Sequence, residues 1–258
     1  MPVVISDDAS PCTSDDLLRS LESDAVSVVR HRDNVGIARG LNDGLRFAQD
    51  MGATWLFTFD QDTRVPHEYL STMRDVLDSV DPSIIGALGA ERISLESGAI
   101  EYPITGDVDG LPTTEEIIQT GSAWNVAALT GVGGFDEHFG IDAVDAAACL
   151  RLRERGYRIA VVPGTVLEHH LGAATSVRVF GRDVLVTGHS PQRRASMMRN
   201  RLALFPAEFR NSPRHALRTV RRVVVNQSLG LVLEGDRWAK MRGSARGLAP
   251  RDRDSLDS

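Results

Sequence analysis

The segment TWLFTFDQD, residues 54–62, constrains the fold of this chain more than any other stretch. Its first six residues are apolar or β-branched without interruption, which is typical of a strand that helices bury on both faces. The run ends at Asp60 and Asp62. In α/β sheets, ligands bind beyond the carboxyl ends of the strands, so the two carboxylates stand where a binding site is expected.

Strand and helix patterns alternate on both sides of this segment. Further β-branched and apolar runs predict strands at 2–8 and 25–31, and a strand followed by a loop over 83–93. Helical patterns lie between them; the first is capped by Ser14 or Thr13, and the second ends near Gln49, just before Gly52. The alternation predicts an α/β fold with a mostly parallel sheet flanked by helices.

The second half of the chain changes character twice. Residues 94–120 carry scattered glycine and proline and are predicted to be irregular, whereas 142–155 is predicted to be a helix. From Ser190 onward the pattern is helical and basic. We therefore predict a ligand-binding domain over residues 1–189, a helical basic C-terminal region over 190–250 and a disordered tail over 251–258.

Charge is distributed unevenly along the chain. Residues 1–192 carry 14 Arg against 29 Asp and Glu, a net charge of −15, whereas residues 193–258 carry a net charge of +9. A basic region of this kind either meets phosphates or an anionic membrane surface, or is a solvated helical face that pairs with the acidic body.

No apolar run approaches the roughly 18 residues of a transmembrane span, and the first residues have no signal-peptide pattern. Cys12 and Cys149 show no metal-ligand spacing, so we expect a cytoplasmic protein without a disulfide framework.

The pair Asp60 and Asp62 suits a divalent cation. Two carboxylates one residue apart repel each other unless a cation lies between them, and Mg²⁺ or Mn²⁺ prefers oxygen ligands shared with substrate phosphates. Such an ion neutralises a departing nucleoside diphosphate. The Asp-x-Asp pattern alone is also common in solvated loops and helix caps.

Other polar residues are predicted to join the same end of the sheet. Asp7 and Asp8 follow the first strand, and His169 follows the strand at 158–164; the histidine is either a metal or phosphate contact or a structural residue. Asp145 lies in the first turn of a predicted helix, where it either complements the helix dipole or acts as a general base. The chain has neither a Gly-x-Ser-x-Gly elbow nor a Gly-Lys-Ser/Thr phosphate loop, which disfavours a hydrolytic or a simple nucleotide-binding domain.

Five segments in this order resemble the family 2 glycosyltransferases, and within them the rhamnosyltransferase-like group. They are ISDDAS (5–10), NVGIARGLNDGL (34–45), FTFDQDTRVP (57–66), GGFDEHFGIDAVDAAACLRLRERGYRIAVVPGTVLEHHLG (133–172) and RRASMMRNRLALF (193–205). The resemblance covers about residues 3–205 and implies a GT-A fold, a nucleotide-sugar donor, Mg²⁺ or Mn²⁺, and an inverting single displacement.

The resemblance also implies a role for each matching residue. Asp7 lies near the nucleotide base, Asn34 and Asn42 line the nucleotide, and Asp60 contacts the ribose or diphosphate. Asp62 binds the metal, His169 lies near the metal or diphosphate, and Asp145 is the catalytic base.

Three departures from the family pattern stand out. The family's opening strand and helix have no counterpart, so either the chain starts further upstream or part of the donor pocket is missing. Asp8 replaces an asparagine, which adds negative charge near an anionic ligand. Ala147 and Ala148 replace a glutamate and an aromatic residue, which either widens the acceptor pocket or marks loss of function.

The resulting hypothesis is an inverting glycosyltransferase that moves rhamnose or a related sugar from a dTDP-sugar to a cell-surface glycan. Transfer of galactofuranose or another hexose stays open. The acceptor is expected to be a glycan or lipid-linked, with the basic region against the inner face of the membrane, and no nucleic acid is expected. The alternative is a degenerate, non-catalytic relative that binds a nucleotide or a partner.

Overall fold

The structure of the chain is a computed structural model that describes residues 1–11, 14–96, 98–169, 175–179, 182–186 and 190–233. Predictions for Thr13, for the end of the helical region after residue 233 and for the tail 251–258 lie outside these residues. The chain forms two compact units, one of residues 1–93 and 101–168, the other of residues 94–100 and 169–258. Strand β10, Arg158–His169, crosses that boundary at its last residue and is part of the eight-stranded sheet.

The first part of the chain alternates strands and helices as the sequence predicts. The elements are β1 (Val3–Asp7), α1 (Asp15–Leu21), β2 (Val26–Arg30), α2 (Ile37–Asp50), β3 (Trp55–Thr58), β4 (Thr63–Arg64), α3 (Tyr69–Leu77) and β5 (Ile85–Leu95). Helix α2 ends where predicted because Gly52 takes a φ of +64°. That left-handed conformation lets the Gly52 amide donate back to the Gln49 carbonyl at 2.9 Å.

The second part contains more strands than the sequence predicts. The elements are β6 (Gly98–Glu101), β7 (Gly106–Val108), β8 (Leu111–Thr114), β9 (Ser122–Asn125), α4 (Val126–Gly131), a 3-10 helix (Glu137–Phe139), α5 (Val144–Glu154), β10 (Arg158–His169), β11 (Thr175–Val179), β12 (Arg182–Val186), α6 (Pro191–Asn211) and α7 (Pro213–Leu233). The prediction of an irregular stretch over 94–120 is therefore wrong for β6, β7 and β8. These strands have only three or four residues, too few to show a period of two among glycines and prolines.

Strand directions correct a second expectation. β1 and β2 form a separate parallel pair, whereas the main sheet has the order β3-β9-β5-β10-β8-β7. Hydrogen bonds from Arg158 N to Ile84 O and from Glu91 N to Thr165 Oγ1 show that β5 and β10 run in the same direction. The α/β class is confirmed, but a mostly parallel sheet is wrong for the neighbours of β9 and β8, which are antiparallel.

The β7–β8 pair has a local physical reason for its direction, because a short turn joins the two strands and short turns join antiparallel strands. The pairs of β9 with β3 and β5 and the β8–β10 pair join strands that are not consecutive in the chain, so no local sequence signal gives their direction. The β7–β8 hairpin turns at Asp109 and Gly110, both with positive φ. Gly110 N donates to Asp107 Oδ1 at 3.0 Å, which fixes the turn.

Helix α2 packs against both β1 and β3. A methyl group added at Gly44 would lie 3.8 Å from the side chains of Val4 and Leu56, one on each strand. These are ordinary van der Waals distances, so helix α2 lies directly against both strands. The loop before α2 and the loop after β3 are thereby fixed to one scaffold.

The hydrophobic core lies between the main sheet and helices α2, α4 and α5. Trp124 is fully buried, with its ring 5.1 Å from that of Phe135 in an edge-to-face arrangement. Its indole N–H donates to Thr58 Oγ1 at 2.9 Å, so the polar atom of this large side chain is satisfied. Among the described residues, no helix is long and apolar enough to cross a membrane.

The thiol of Cys149 is expected to be chemically inert in the folded protein. It is completely buried in α5, and burial raises its pKa to about 12. Because the thiolate is the reactive form, a Cys12→Ser variant should show no reaction with an aromatic disulfide reagent at pH 8. The same variant in guanidinium chloride should react fully, and equal rates in both conditions would contradict the buried position.

Candidate active site

Two acidic segments follow two strands that helix α2 brings together. Asp7 is the last residue of β1, and Asp60 stands two residues beyond the end of β3. Asp62 lies between Asp60 and the short strand β4. Asp7 therefore ends its strand, and Asp60 and Asp62 stand beyond the end of theirs. Their roles in binding stay predictions.

The segment Gln119–Ser122 anchors the Asp60 loop. Asp60 N donates to Thr120 Oγ1 at 3.0 Å, and the Gln119 side-chain amide donates to Asp60 Oδ1. Thr63 Oγ1 lies 2.7 Å from Thr120 Oγ1, so the far end of the loop is tied to the same residue. Gln119 and Thr120 are both buried. This holds the backbone of the Asp60 loop in one conformation.

Gly121 forms the tightest point of that anchor. Its amide donates to the Thr58 carbonyl at 2.8 Å, its carbonyl accepts from the Tyr69 hydroxyl, and its φ is +71°. Burial raises the pKa of the Tyr69 hydroxyl far above its usual range, so the hydroxyl stays protonated as the donor. A side chain at Gly121 would overlap Leu167 on β10.

Asp60, Asp62 and His169 form a group that can hold a metal ion. Each offers one ligand atom, and these atoms all lie within 4.8 Å of one another. The proximity follows from sheet pairing, because β4 begins directly after Asp62 and pairs with β10, which ends at His169. Two carboxylates and one imidazole are a donor set that suits a divalent ion such as Mn²⁺.

Asp7 and Asp8 are held by different partners. Asp7 is buried and accepts from Arg30 Nε at 3.4 Å. Asp8 accepts from the backbone amides of Val35 and Gly36 at 2.6 and 3.1 Å. The Asp8 carboxylate thus shapes the loop before α2, which includes the exposed Asn34. The nucleotide roles of Asp7 and Asn34 stay predictions.

Asn42 has a clear structural function. Its side-chain amide donates to the carbonyl of Phe135 and to Glu137 Oε1, and its oxygen accepts from Phe135 N at 2.9 Å. Gly134 must lack a side chain here, since an added methyl would lie 2.7 Å from Asn42 Oδ1. Asn42 therefore fixes the Gly-Gly-Phe-Asp-Glu segment to α2, and its predicted contact with the nucleotide stays a prediction.

Asp145 occupies the first turn of α5 as predicted. Its Oδ1 accepts from Ala146 N at 2.8 Å. Burial raises the pKa of Tyr102 far above its usual range, and the negative charge of Asp145 adds to that rise. The Tyr102 oxygen accepts from Ile118 N at 3.2 Å. Asp145 therefore interacts electrostatically with Tyr102, which contacts Ile118, whereas Asp60 contacts the next two residues, Gln119 and Thr120.

The two alanines that replace larger family residues are both buried. Ala147 and Ala148 face the interior of the protein, and Ala148 belongs to the main core cluster. The helix itself begins at Val144 rather than at Asp142, because Ala143 has a φ of +68° that a right-handed helix does not accept.

Sequence reasoning missed the residues that position the site. Gln119, Thr120, Tyr69 and Tyr102 make the hydrogen bonds described above, but each is a single polar residue in an unremarkable context. The weak signal was the TGS turn just before the apolar run of β9. The partners of such a turn lie more than 50 residues away in the sequence, so the local pattern does not identify them.

Comparisons with known proteins agree with this geometry. Residues 2–94 match the family model "Glycosyl transferase family 2". The chain is 27% identical over 211 residues to the dTDP-rhamnosyl transferase RfbF of Shigella flexneri, covering 78% of this chain and 70% of that protein.

Solved structures give the same fold at low sequence identity. The chain superposes with TM-score 0.60 and 13% identity on S. aureus TarS 1-349 in complex with UDP-GlcNAc, covering 94% of this chain and 70% of that one. It matches the mannosyltransferase PcManGT from Pyrobaculum calidifontis, in complex with GDP-Man and Mn²⁺, with TM-score 0.54 and 16% identity. That match covers 95% of this chain but only 64% of the mannosyltransferase. These likenesses confirm the expected GT-A-like fold.

Replacing Gly121 by alanine should destabilise the protein and loosen the Asp60 loop. The left-handed conformation costs a side-chain-bearing residue about 1–2 kcal/mol, and the overlap with Leu167 adds about 1–3 kcal/mol. Urea unfolding should therefore show a loss of about 2–5 kcal/mol.

Gly131→Ala is the matched control for this experiment. Gly131 ends helix α4 and has open space where a side chain would go. Its substitution should leave the free energy of unfolding unchanged or slightly higher. Equal effects of the two substitutions would show that the Gly121 turn is not a constraint.

Proposed function

We propose that this chain, which is a family 2 glycosyltransferase with a GT-A-like fold, transfers rhamnose or a related sugar from a dTDP-sugar to a glycan hydroxyl. The donor assignment is supported by the likeness to the Shigella dTDP-rhamnosyl transferase over most of the chain. Other solved relatives hold UDP-sugars or GDP-mannose. A panel of donors is therefore the first experiment.

The observation that carries the proposal is the group of Asp60, Asp62 and His169. Their ligand atoms are close enough to share one ion, and buried Gln119 and Thr120 hold Asp60 in place. We assign Mn²⁺ or Mg²⁺ to this group; the imidazole favours Mn²⁺ over Mg²⁺, which prefers oxygen ligands. When bound, the ion would neutralise charge on the diphosphate leaving group.

We assign the nucleotide to the side of the site formed by β1 and the loop before α2. Asp7 and Asn34 lie on this side, and Asn42 contributes by holding the segment from Phe135 to Glu137. Asp60 is shared, because its carboxylate is near both the proposed ion and the proposed diphosphate position. The Asp8 carboxylate is already bound by two backbone amides, which offsets its charge near an anionic donor.

Asp145 is the proposed general base. Its carboxylate takes the proton of the acceptor hydroxyl, whose oxygen forms a bond to the anomeric carbon from the face opposite the leaving group. The bond from the anomeric carbon to the diphosphate breaks, and the nucleoside diphosphate departs with the electron pair. A single displacement of this kind inverts the anomeric centre. The position of Asp145 in the first turn of α5 supports this role. Its charge acts on Tyr102, whose oxygen contacts Ile118, and the next two residues hold Asp60.

The acceptor we propose is a growing cell-surface glycan, free or lipid-linked, on the cytoplasmic side of the membrane. The basic C-terminal region supports this location, since it suits a surface rich in phosphate.

A second candidate is a non-catalytic relative that binds a nucleotide or a partner. It is favoured by one observation: among the described residues, β1 and β2 form a sheet of their own, with no ladder to β3. Calorimetry with nucleotide sugars separates the two candidates. Binding together with release of nucleoside diphosphate supports the enzyme, and binding without turnover of any donor supports the second candidate.

Asp62→Asn should weaken metal binding by roughly tenfold or more, because even residues that only support a ligand contribute about that much. Titration with Mn²⁺, followed by its electron paramagnetic resonance signal, measures this directly. Asp75→Asn is the control, since Asp75 is an exposed aspartate on helix α3. Unchanged Mn²⁺ affinity in Asp62→Asn would remove Asp62 from the site.

Asp145→Asn should lower kcat by about 10²–10⁴-fold, because the amide cannot accept the proton. Donor affinity and Mn²⁺ affinity should stay within about twofold of the parent values, since the substitution changes only the base. Released nucleoside diphosphate is quantified by chromatography. Glu154→Gln, at the exposed end of the same helix, should keep full activity, and undiminished turnover in Asp145→Asn would exclude Asp145 as the base.

A further inference from the structure

The helices α6 and α7 contact each other and together have an extreme charge imbalance. Residues 190–233 contain nine arginines and a single acidic residue, Glu208. Glu208 is buried and lies 3.6 Å from Arg201 of the same helix. In the described part of these helices, the exposed charged side chains are therefore all positive.

Helix α7 presents apolar residues beside those arginines. Leu217, Val220 and Val224 are 57%, 39% and 53% exposed. Their spacing of three and four residues places them along one line of the helix. The opposite face is buried through His215, Ala216 and Thr219, so the apolar line points away from the packed side.

The arginines of α7 form a second line next to the first. Arg214, Arg218, Arg221 and Arg222 are all exposed. Their spacing of three and four residues places them on one side of the helix, adjacent to the apolar line. An exposed apolar line flanked by arginines is the pattern of a helix that lies in a membrane interface.

Helix α6 repeats the pattern with aromatic residues. Leu202 and Phe209 are both exposed, seven residues apart, and the ring of Phe209 lies 5.6 Å from that of Phe205. Both helices therefore expose large apolar side chains, and exposed apolar patches often mark interaction sites. Because neither helix is long and apolar enough to cross a membrane, both would lie on its surface.

We propose that the α6–α7 pair is a docking surface for an anionic lipid bilayer. The arginine guanidinium groups meet lipid phosphates while their alkyl stems and the exposed Leu, Val and Phe side chains enter the interface. The purpose rests on the proposed function: docking brings the transferase to a lipid-linked acceptor. An acidic protein or an RNA would meet the charge, but neither needs the exposed line of Leu217, Val220 and Val224.

Vesicle sedimentation with the full chain tests this surface. The protein is mixed with vesicles of phosphatidylcholine alone or with about one third phosphatidylglycerol, without donor, acceptor or metal, and again in high salt. We expect binding to the anionic vesicles only, weakened by salt. Replacing the four arginines of the α7 line by glutamine should weaken binding by roughly fivefold for each arginine removed.

A second variant tests the apolar line separately. Leu217→Gln with Val224→Gln keeps every charge, so it should weaken vesicle binding while leaving binding to a polyanion such as heparin unchanged. Leu17→Gln with Leu21→Gln is the matched control, because both leucines are exposed on helix α1 and no charge changes. That control should bind vesicles like the parent protein.

The outcomes separate the docking surface from the catalytic proposal. Failure to bind anionic vesicles, or equal binding by both variants and the parent, would overturn the docking surface whatever the transferase activity. Binding to polyuridylate or to an acidic protein but not to vesicles would overturn it as well. Loss of vesicle binding in the variants, with donor turnover on a soluble acceptor unchanged, supports it.

Discussion

The backbone of Gly121 is the constraint on which the site depends. Its left-handed conformation lets one residue contact the end of β3 through Thr58, the hydroxyl of Tyr69 on α3, and the side chain of Leu167 on β10. Gln119 and Thr120, just before it, hold Asp60. One turn therefore ties together the loop and the strand that supply the three candidate metal ligands.

A glycine and an asparagine elsewhere also fix the backbone around the site. Gly134 leaves room for the side chain of Asn42. Asn42 then fixes the segment that leads toward α5 and Asp145. The residues that the family resemblance assigned to ligand binding thus divide into two kinds. Asp62 and His169 offer ligand atoms to a shared ion, whereas Asn42 maintains the backbone around the site.

Acidic and basic side chains are also distributed unevenly along the chain. The acidic residues lie mostly in residues 1–192, which include the candidate metal ligands, whereas arginines are enriched on helices α6 and α7. Much of the positive charge is kept exposed beside apolar side chains, where it is suited to a phosphate-rich surface. In the proposed function, a divalent ion at the acidic site and the arginines of the docking surface would both bind phosphate groups.

The sequence alone determined the alternation of strands and helices up to β5, the acidic loop after β3, and the residues of the candidate metal group, because these depend on local pattern and ordered motifs. It could not determine the short strands β6–β8, the antiparallel β9, or the partners of Asp60. Short strands carry too little periodicity, and strand direction depends on how distant segments pair. Only the tertiary structure decided that Gln119 and Thr120 anchor the Asp60 loop, because those contacts join residues about 60 positions apart.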